Sequence, residues 1–177
     1  MPNHIINVIT APKHVIDALI NDEGQVDFSR TIPEPENLER GGCDMRAVGG
    51  IHLDTREVCW YEWNTRNWGT KWNAYSTDRI SDTEVKFETA WSHPEKIIEA
   101  LTEKFPTETI EVKYADEDLG YNFGHYTVNG PSILEEHETP ESGTNEAVLW
   151  AYRLKYKADA TMEDLRDEGY IDDEDED

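Results

Sequence analysis

The feature that most restricts the fold is a change of period between Glu84 and Ala115. Glu84 to Trp91 (EVKFETAW) alternates, which puts Val85, Phe87, Thr89 and Trp91 on one face of a strand. Ser92-His93-Pro94-Glu95 then opens a helix, with Ser92 as cap, Pro94 in the first turn and Glu95 completing a capping box. Ile97, Ile98, Leu101 and Phe105 fall on one helical stripe before Pro106 stops it, and Thr109 to Ala115 alternates again through Ile110, Val112 and Tyr114. A strand, a helix and a returning strand of these lengths make a crossover unit that must bury one helix face on a sheet.

A second unit of the same kind precedes it. Asn3 to Thr10 is apolar and β-branched, so a strand is expected, followed by a helix opened by Thr10-Ala11-Pro12 and carrying Val15, Ile16, Leu19 and Ile20 on one side. Asn21 to Gly24 ends that helix, and Val26 to Thr31 is expected as the second strand, closed by Ile32-Pro33-Glu34-Pro35. After the second unit, Asp116 to Gly120 makes an acidic turn, and Tyr121 to Val128 returns as a hairpin strand ended by Asn129-Gly130-Pro131. The order predicts an α+β fold: a ferredoxin-like split βαβ antiparallel sheet with its helices on one face. Two additions break this frame, an aromatic insertion over about 36–82 and a C-terminal helix over about 145–157. Residues 1–157 are therefore read as one α+β domain and residues 158–177 as an acidic, largely disordered tail, with a short piece at Met162 to Arg166.

Within the insertion, Gly41-Gly42 and Gly49-Gly50 bracket a loop-like stretch, Thr55 to Arg66 can form a helix, and Asn67 to Ala74 is a compact aromatic loop. Trp60, Trp63, Trp68 and Trp72 crowd this segment. Stacking of nucleobases needs a positive groove around such rings, and Glu57, Glu62 and Asp78 supply the opposite sign, so a secondary core is the favoured reading. Arg66, Lys71 and Arg79 are its few cations, expected to pair with nearby acids.

Charge then excludes function classes. The chain of 177 residues carries 39 acidic and 16 basic residues, a formal net charge of -23. Nucleic-acid binding draws on clustered Lys and Arg, so no direct nucleic-acid partner is expected. A membrane partner is not expected either, since no run approaches the roughly 20 apolar residues of a span, and the start Met1-Pro2-Asn3-His4 has no basic leader. A cytoplasmic setting follows as an expectation. Cys43 and Cys59 lie sixteen positions apart without a CxxC and are expected as reduced, partly buried thiols. Six histidines, among them the pair His52-x-Asp54 with a nearby acid, show no ligand spacing. No phosphate loop, GxGxxG or GxSxG is present, so no catalytic residue, cofactor or metal is assigned.

The block Asn67-Trp68-Gly69-Thr70-Lys71-Trp72-Asn73, followed by Phe87-Glu88-Thr89-Ala90-Trp91-Ser92-His93-Pro94, Phe105-Pro106, Tyr114, Gly120-Tyr121 and Gly124, resembles the YubB ferredoxin-like family, as does the opening Met1-Pro2-Asn3 before a β-branched strand. The likeness covers about residues 1–130, with His93 at a position where proline is more usual. It implies a ferredoxin-like core and a protein carried by a phage or conjugative plasmid in the bacterial cytoplasm, and it supplies no catalytic residues.

Together these features predict a non-enzymatic accessory protein that binds a host protein with a basic surface. Occlusion of a nucleic-acid-binding site, in the manner of a DNA mimic, is the sharper form of that reading. The acids expected to meet the partner are Asp116, Glu117 and Asp118 at the turn, Glu135 and Glu136 beyond it, and Asp172, Asp173 and Glu174 in the tail. The alternative is a small enzyme or ligand-binding domain with a pocket between the Trp-rich insertion and the sheet, lined by Arg66, Lys71, His93 and Tyr121.

Overall fold

A computed structural model describes residues 3–38, 40, 59–130 and 134–172. Six strands form one antiparallel sheet: β1 (His4–Thr10), β2 (Tyr75–Arg79), β3 (Glu84–Ala90), β4 (Thr109–Asp116), β5 (Phe123–Asn129) and β6 (Leu134–Glu136). Their spatial order is β2-β3-β1-β4-β5-β6. The first four strands have the split βαβ order of the ferredoxin-like fold, and β5 and β6 extend it past β4 as a meander.

Five helices accompany the sheet among the described residues: α1 (Lys13–Leu19), α2 (Trp60–Asn67), α3 (Glu95–Lys104), α4 (Asn145–Lys155) and α5 (Met162–Asp167). Strand alternation decides which side each one covers. Ile9, Val85, Phe87, Ile110 and Val112 point to one face and pack with Val15, Ile16 and Leu19 of α1 and Ile97, Ile98 and Leu101 of α3. Full burial of each such side chain stabilises the fold by about 1.5–3 kcal/mol before entropy is counted. Ile6 and Ala115 point to the other face, against Ala151 of α4. The two crossover helices thus share one face as expected, while α4 covers part of the opposite one. Lys86 fastens that second layer: its Nζ donates to the carbonyls of Leu154 and Lys155, 3.0 and 2.8 Å away, where the helix dipole favours a cation.

The second strand is not where the sequence pattern puts it. Val26 makes only an isolated bridge to Ile20, and Phe28–Arg30 is a turn of 3-10 helix. Asp27 caps that turn, its carboxylate accepting from the Ser29 N–H at 3.0 Å, so the side chain competes with the sheet ladder for the backbone. Tyr75–Arg79 takes the edge position instead, with a bulge between Tyr75 and Asp78. The segment expected as an insertion over 36–82 therefore supplies a strand of the core sheet. Its opening part, with Gly41-Gly42, Gly49-Gly50, Cys43 and His52, and residues 55–58 of the expected helix, lies outside the described residues. Cys59, buried beside α2, is held in a disulfide, which overturns the expectation of a reduced thiol there.

The segment from 158 differs as well. Thr161 and Asp164 form a reciprocal capping box that starts α5, and Ala160, Leu165 and Ile171 are buried with Leu149 and Tyr152 of α4. Five apolar side chains outweigh the local acidity, so folded structure extends to about residue 171 rather than ending at 157.

Candidate functional site

The Trp-rich region gives the core Trp68 and part of Trp63. Trp68 is 1% exposed, packs edge-on to Phe28 and Trp63, and donates its indole N–H to the Ile32 carbonyl at 3.0 Å. Gly69 holds φ +80° where the loop turns onto the start of α3, and Ser92 Oγ donates to the Gly69 carbonyl. Trp72 and Trp91 remain exposed, with Lys71 Nζ 4.8 and 4.4 Å from their ring centroids. Trp91 carries φ +74°, a strained conformation for a bulky residue. The cation is thus spent on its own neighbours. Arg79 is spent too, on Asp17 at 2.8 Å and Asp82 at 3.4 Å.

The four residues expected around a pocket here divide between separate places. Lys71 lies over Trp72 and Trp91. His93 follows in the next segment but turns inward, stacked on Tyr114 with centroids 4.2 Å apart. Arg66 is exposed in the last turn of α2. Tyr121 sits across the acidic turn, its hydroxyl against Gly143.

The structure instead opens a cavity of about 210 Å³ beside β5, lined by Tyr114, Phe123, Gly124, Tyr126, Glu136 and His137, among others. Register explains it. Tyr114 of β4 faces Gly124 of β5, and a Cβ at position 124 would come 2.7 Å from the Tyr114 ring. Glycine lets that ring lie over the strand, and Tyr126, two residues on, faces Glu136 of β6. Burial raises the Tyr114 and Tyr126 hydroxyls above the ordinary tyrosine value. Glu95 adds to both shifts, with Glu136 acting on Tyr114 and Glu99 on Tyr126. His93, wedged against both rings, has its Nδ1 buried without a hydrogen-bond partner, and desolvation drops its pKa to about 4.

His125 and His137, which also line the cavity, belong to a polar row along the same strands. His125 Nε2 meets the Glu111 carboxylate at 2.7 Å, Lys113 meets it at 2.8 Å, and Thr127 Oγ1 meets His137 Nε2 at 2.6 Å. The two imidazoles stack 4.1 Å apart. Burial lowers the His125 pKa although the Glu111 contact opposes it, while the Lys113 contact chiefly lowers that of Glu111. Every group in the row has its partner in the row. Among the described residues no group of three or more His, Cys, Asp or Glu is placed to hold a metal.

The acids expected to form a partner surface are not equivalent. Asp116 is 5% exposed and structural: its carboxylate accepts from Asn3 Nδ2, the Asp118 N–H and Asn122 Nδ2 at 3.1, 3.0 and 2.9 Å. It ties the turn to the start of β1 and is removed from the surface set. Glu117, Asp118, Glu135 and Glu136 are exposed, as is Asp172, while Asp173 and Glu174 lie outside the described residues. The sequence pattern did not bring together the residues that line this cavity, Tyr114, Gly124 and Tyr126 among them. The signal it had was Gly124 inside a strand, a mark of close approach by another group.

Residues 67–151 match the family model described as a ferredoxin-like domain in Api92-like protein. The match supports a ferredoxin-like family and not the YubB resemblance by name; β1 and α1, which complete the sheet, precede the matched segment. No curated protein and no solved structure matches the chain. Among the described residues no helix is long and apolar enough to cross a membrane.

Proposed function

We propose that the protein is a non-enzymatic interaction module that binds a basic face of another protein through carboxylates held at fixed positions on its fold. The observation that carries this reading is the edge of the sheet at β6. Glu135 and Glu136 point to its opposite faces and are both exposed, with Glu138 following. Glu95, Glu99 and Glu103 stand exposed along α3, about 6 Å apart by helical rise. Carboxylates on a strand and a helix keep their spacing, which a floppy acidic tail does not, and fixed spacing is what a complementary basic surface can select. Of these six, only Glu99 has a salt bridge to a described residue, Lys96 at 2.8 Å.

The finer form of the proposal is that the partner's basic face is one that otherwise holds nucleic acid, in the cytoplasm of a bacterium and under the control of a phage or plasmid. Like charge repels nucleic acid from the protein itself, so the two compete for the partner's basic face rather than bind each other.

The test is affinity capture from cells that express the protein natively, followed by stepwise salt release and by challenge with duplex DNA. Release of a basic protein well below about 1 M salt, where the screening length shrinks to about 3 Å, is the expected result, and displacement by DNA supports the finer form. Retention indifferent to salt would sink the charge-driven reading.

A further inference from the structure

Trp91 holds its strained φ of +74° and still leaves its ring 46% exposed. Hydrogen bonds on both sides enforce that conformation. The Trp91 N–H donates to the Asn3 carbonyl at 2.9 Å, Thr89 Oγ1 donates to the Ser92 carbonyl at 2.8 Å, and Ser92 is tied to Gly69. Strain kept on a ring that the core does not enclose is characteristic of a functional position. Trp72 stands beside it, 36% exposed. Lys71 Nζ is 4.8 and 4.4 Å from the two ring centroids, so the centroids are at most about 9 Å apart. Tyr61 and Tyr75 meet these indoles edge-on, at interplanar angles of 85° and 65°, which makes the surface ridged rather than flat. The row adjoins β2 and β3, at the opposite end of the sheet order from β6.

Its chemistry is one-sided. The rings offer apolar surface, and the indole N–H groups of Trp72 and Trp91 have no acceptor among the described residues. Lys71 already supplies the cation between the indoles, so the pair calls for no other. The net charge of -23 repels an anion, nucleic acid included. A fitting ligand is therefore apolar, rich in acceptors and poor in donors. A proline-rich segment has that character, because each proline presents a ring and a carbonyl and lacks an N–H. In the polyproline II form it rises about 3.1 Å per residue, so a turn of three residues spans about the limiting distance between the two indoles. A sugar instead brings hydroxyl donors for which the indoles have no acceptor. Glu88 lies opposite Tyr75 in the strand pairing, and among the described residues its one ionic contact is with His4, at 3.9 Å. That carboxylate suits a basic residue at one end of the segment.

We propose that Trp72 and Trp91 form a docking surface for a proline-rich segment of a protein partner, with a Lys or Arg beside the prolines directed to Glu88. Carbonyls of the segment accept from the two indole N–H groups while its rings lie against the ridged aromatic surface, as extended proline-rich ligands do on aromatic-lined sites. The surface is separate from the carboxylates of β6 and does not depend on them.

The experiment is titration of isotope-labelled protein with end-capped decaproline, with the same peptide carrying one terminal arginine, and with a Gly-Ser peptide of equal length, followed at the indole N–H resonances. Saturable shifts at Trp72 and Trp91 are expected with decaproline and none with the Gly-Ser peptide. The arginine-tailed peptide is expected to bind about two- to fivefold more tightly, a gain that disappears in Glu88→Gln. Trp72→Ala is expected to weaken decaproline binding about tenfold or more. Trp91→Gly is expected to do the same, and glycine accepts the positive φ without strain; melting temperatures check that both variants are folded, and Trp72→Ala decides if Trp91→Gly is not. Absence of decaproline binding, an equal response to the Gly-Ser peptide, or binding unchanged by Trp72→Ala overturns the assignment. So do saturable shifts at these indoles from cellohexaose or a thymidine oligonucleotide but not from decaproline. A gain from arginine that survives Glu88→Gln refutes the role given to Glu88. Because capped decaproline is uncharged, its binding or failure to bind leaves the acidic-surface reading to its own test.

Discussion

Acidification from pH 7 to 4 is expected to destabilise the protein through His93 alone by about 3 kcal/mol. In the folded state its imidazole is stacked on Tyr114, touches Tyr126 edge-on and has a buried, unpartnered Nδ1, so the charged form is desolvated and its pKa falls to about 4. In the unfolded chain the ordinary value of about 6.5 applies. Between these values the unfolded state holds one proton more than the folded state, so stability rises with pH at about 1.4 kcal/mol per pH unit and falls as pH is lowered through the same window. Above about 6.5 the contribution is complete, and below about 4 no more is lost. The perturbation is His93→Phe, which keeps an aromatic ring on Tyr114 and removes the titrating group. Urea unfolding followed by Trp fluorescence, run on both proteins from pH 4 to 7.5, gives a difference curve from which the shared carboxylates cancel. Wild type is expected to lose about 3 kcal/mol relative to the variant across that window. A flat difference would mean that the imidazole is solvated, and would refute the packing described around Tyr114.

Trp68→Ala is expected to cost about 3–5 kcal/mol, because it empties the space between Phe28 and Trp63 and frees the Ile32 carbonyl; urea midpoints measure it, and a loss under 1 kcal/mol would return the tryptophan to the surface. Gly124→Ala is expected to cost about 1–3 kcal/mol as its Cβ drives Tyr114 off the strand, visible as a lowered melting temperature and shifted Tyr114 ring resonances. Truncation after Asp172 is expected to leave stability unchanged, whereas truncation after Lys157 removes Leu165 and Ile171 from α4 and lowers the melting temperature; equal melting of the two forms contradicts the packing of α5.

The parts of the fold legible in sequence are those whose period is set by burial. β1, β3, β4, α1 and α3 bury most of the face that their apolar spacing predicts, with Ile9, Phe87, Val112, Ile16 and Leu101 in one core, although Trp91, expected on the β3 face, lies past the strand's end and is exposed. β2 was not legible because Tyr75-Ser76-Thr77-Asp78-Arg79 is an edge strand, exposed over much of its length and without an apolar alternation. Val26 to Thr31 misled for the opposite reason: it has strand-forming residues, but Asp27 spends the backbone N–H of Ser29 on a turn. The acidic turn illustrates the limit of reading charge as exposure. Asp116 looks like Glu117 and Asp118 in sequence, yet it alone is folded inward as a three-fold acceptor. The cavity depends on which residues face one another across β4, β5 and β6, and that register is a tertiary property. Tyr114, Gly124 and Glu136 lie far enough apart in sequence that no local pattern links them.

The most direct test of binding through fixed carboxylates compares wild type with the variant Glu95→Gln/Glu99→Gln/Glu135→Gln/Glu136→Gln in paired, isotope-labelled captures from the same native cells. Each glutamine keeps the side chain's size and removes its charge. Basic proteins recovered with wild type are expected to be depleted with the variant while its melting temperature is retained; equal recovery by both proteins would contradict binding through these carboxylates.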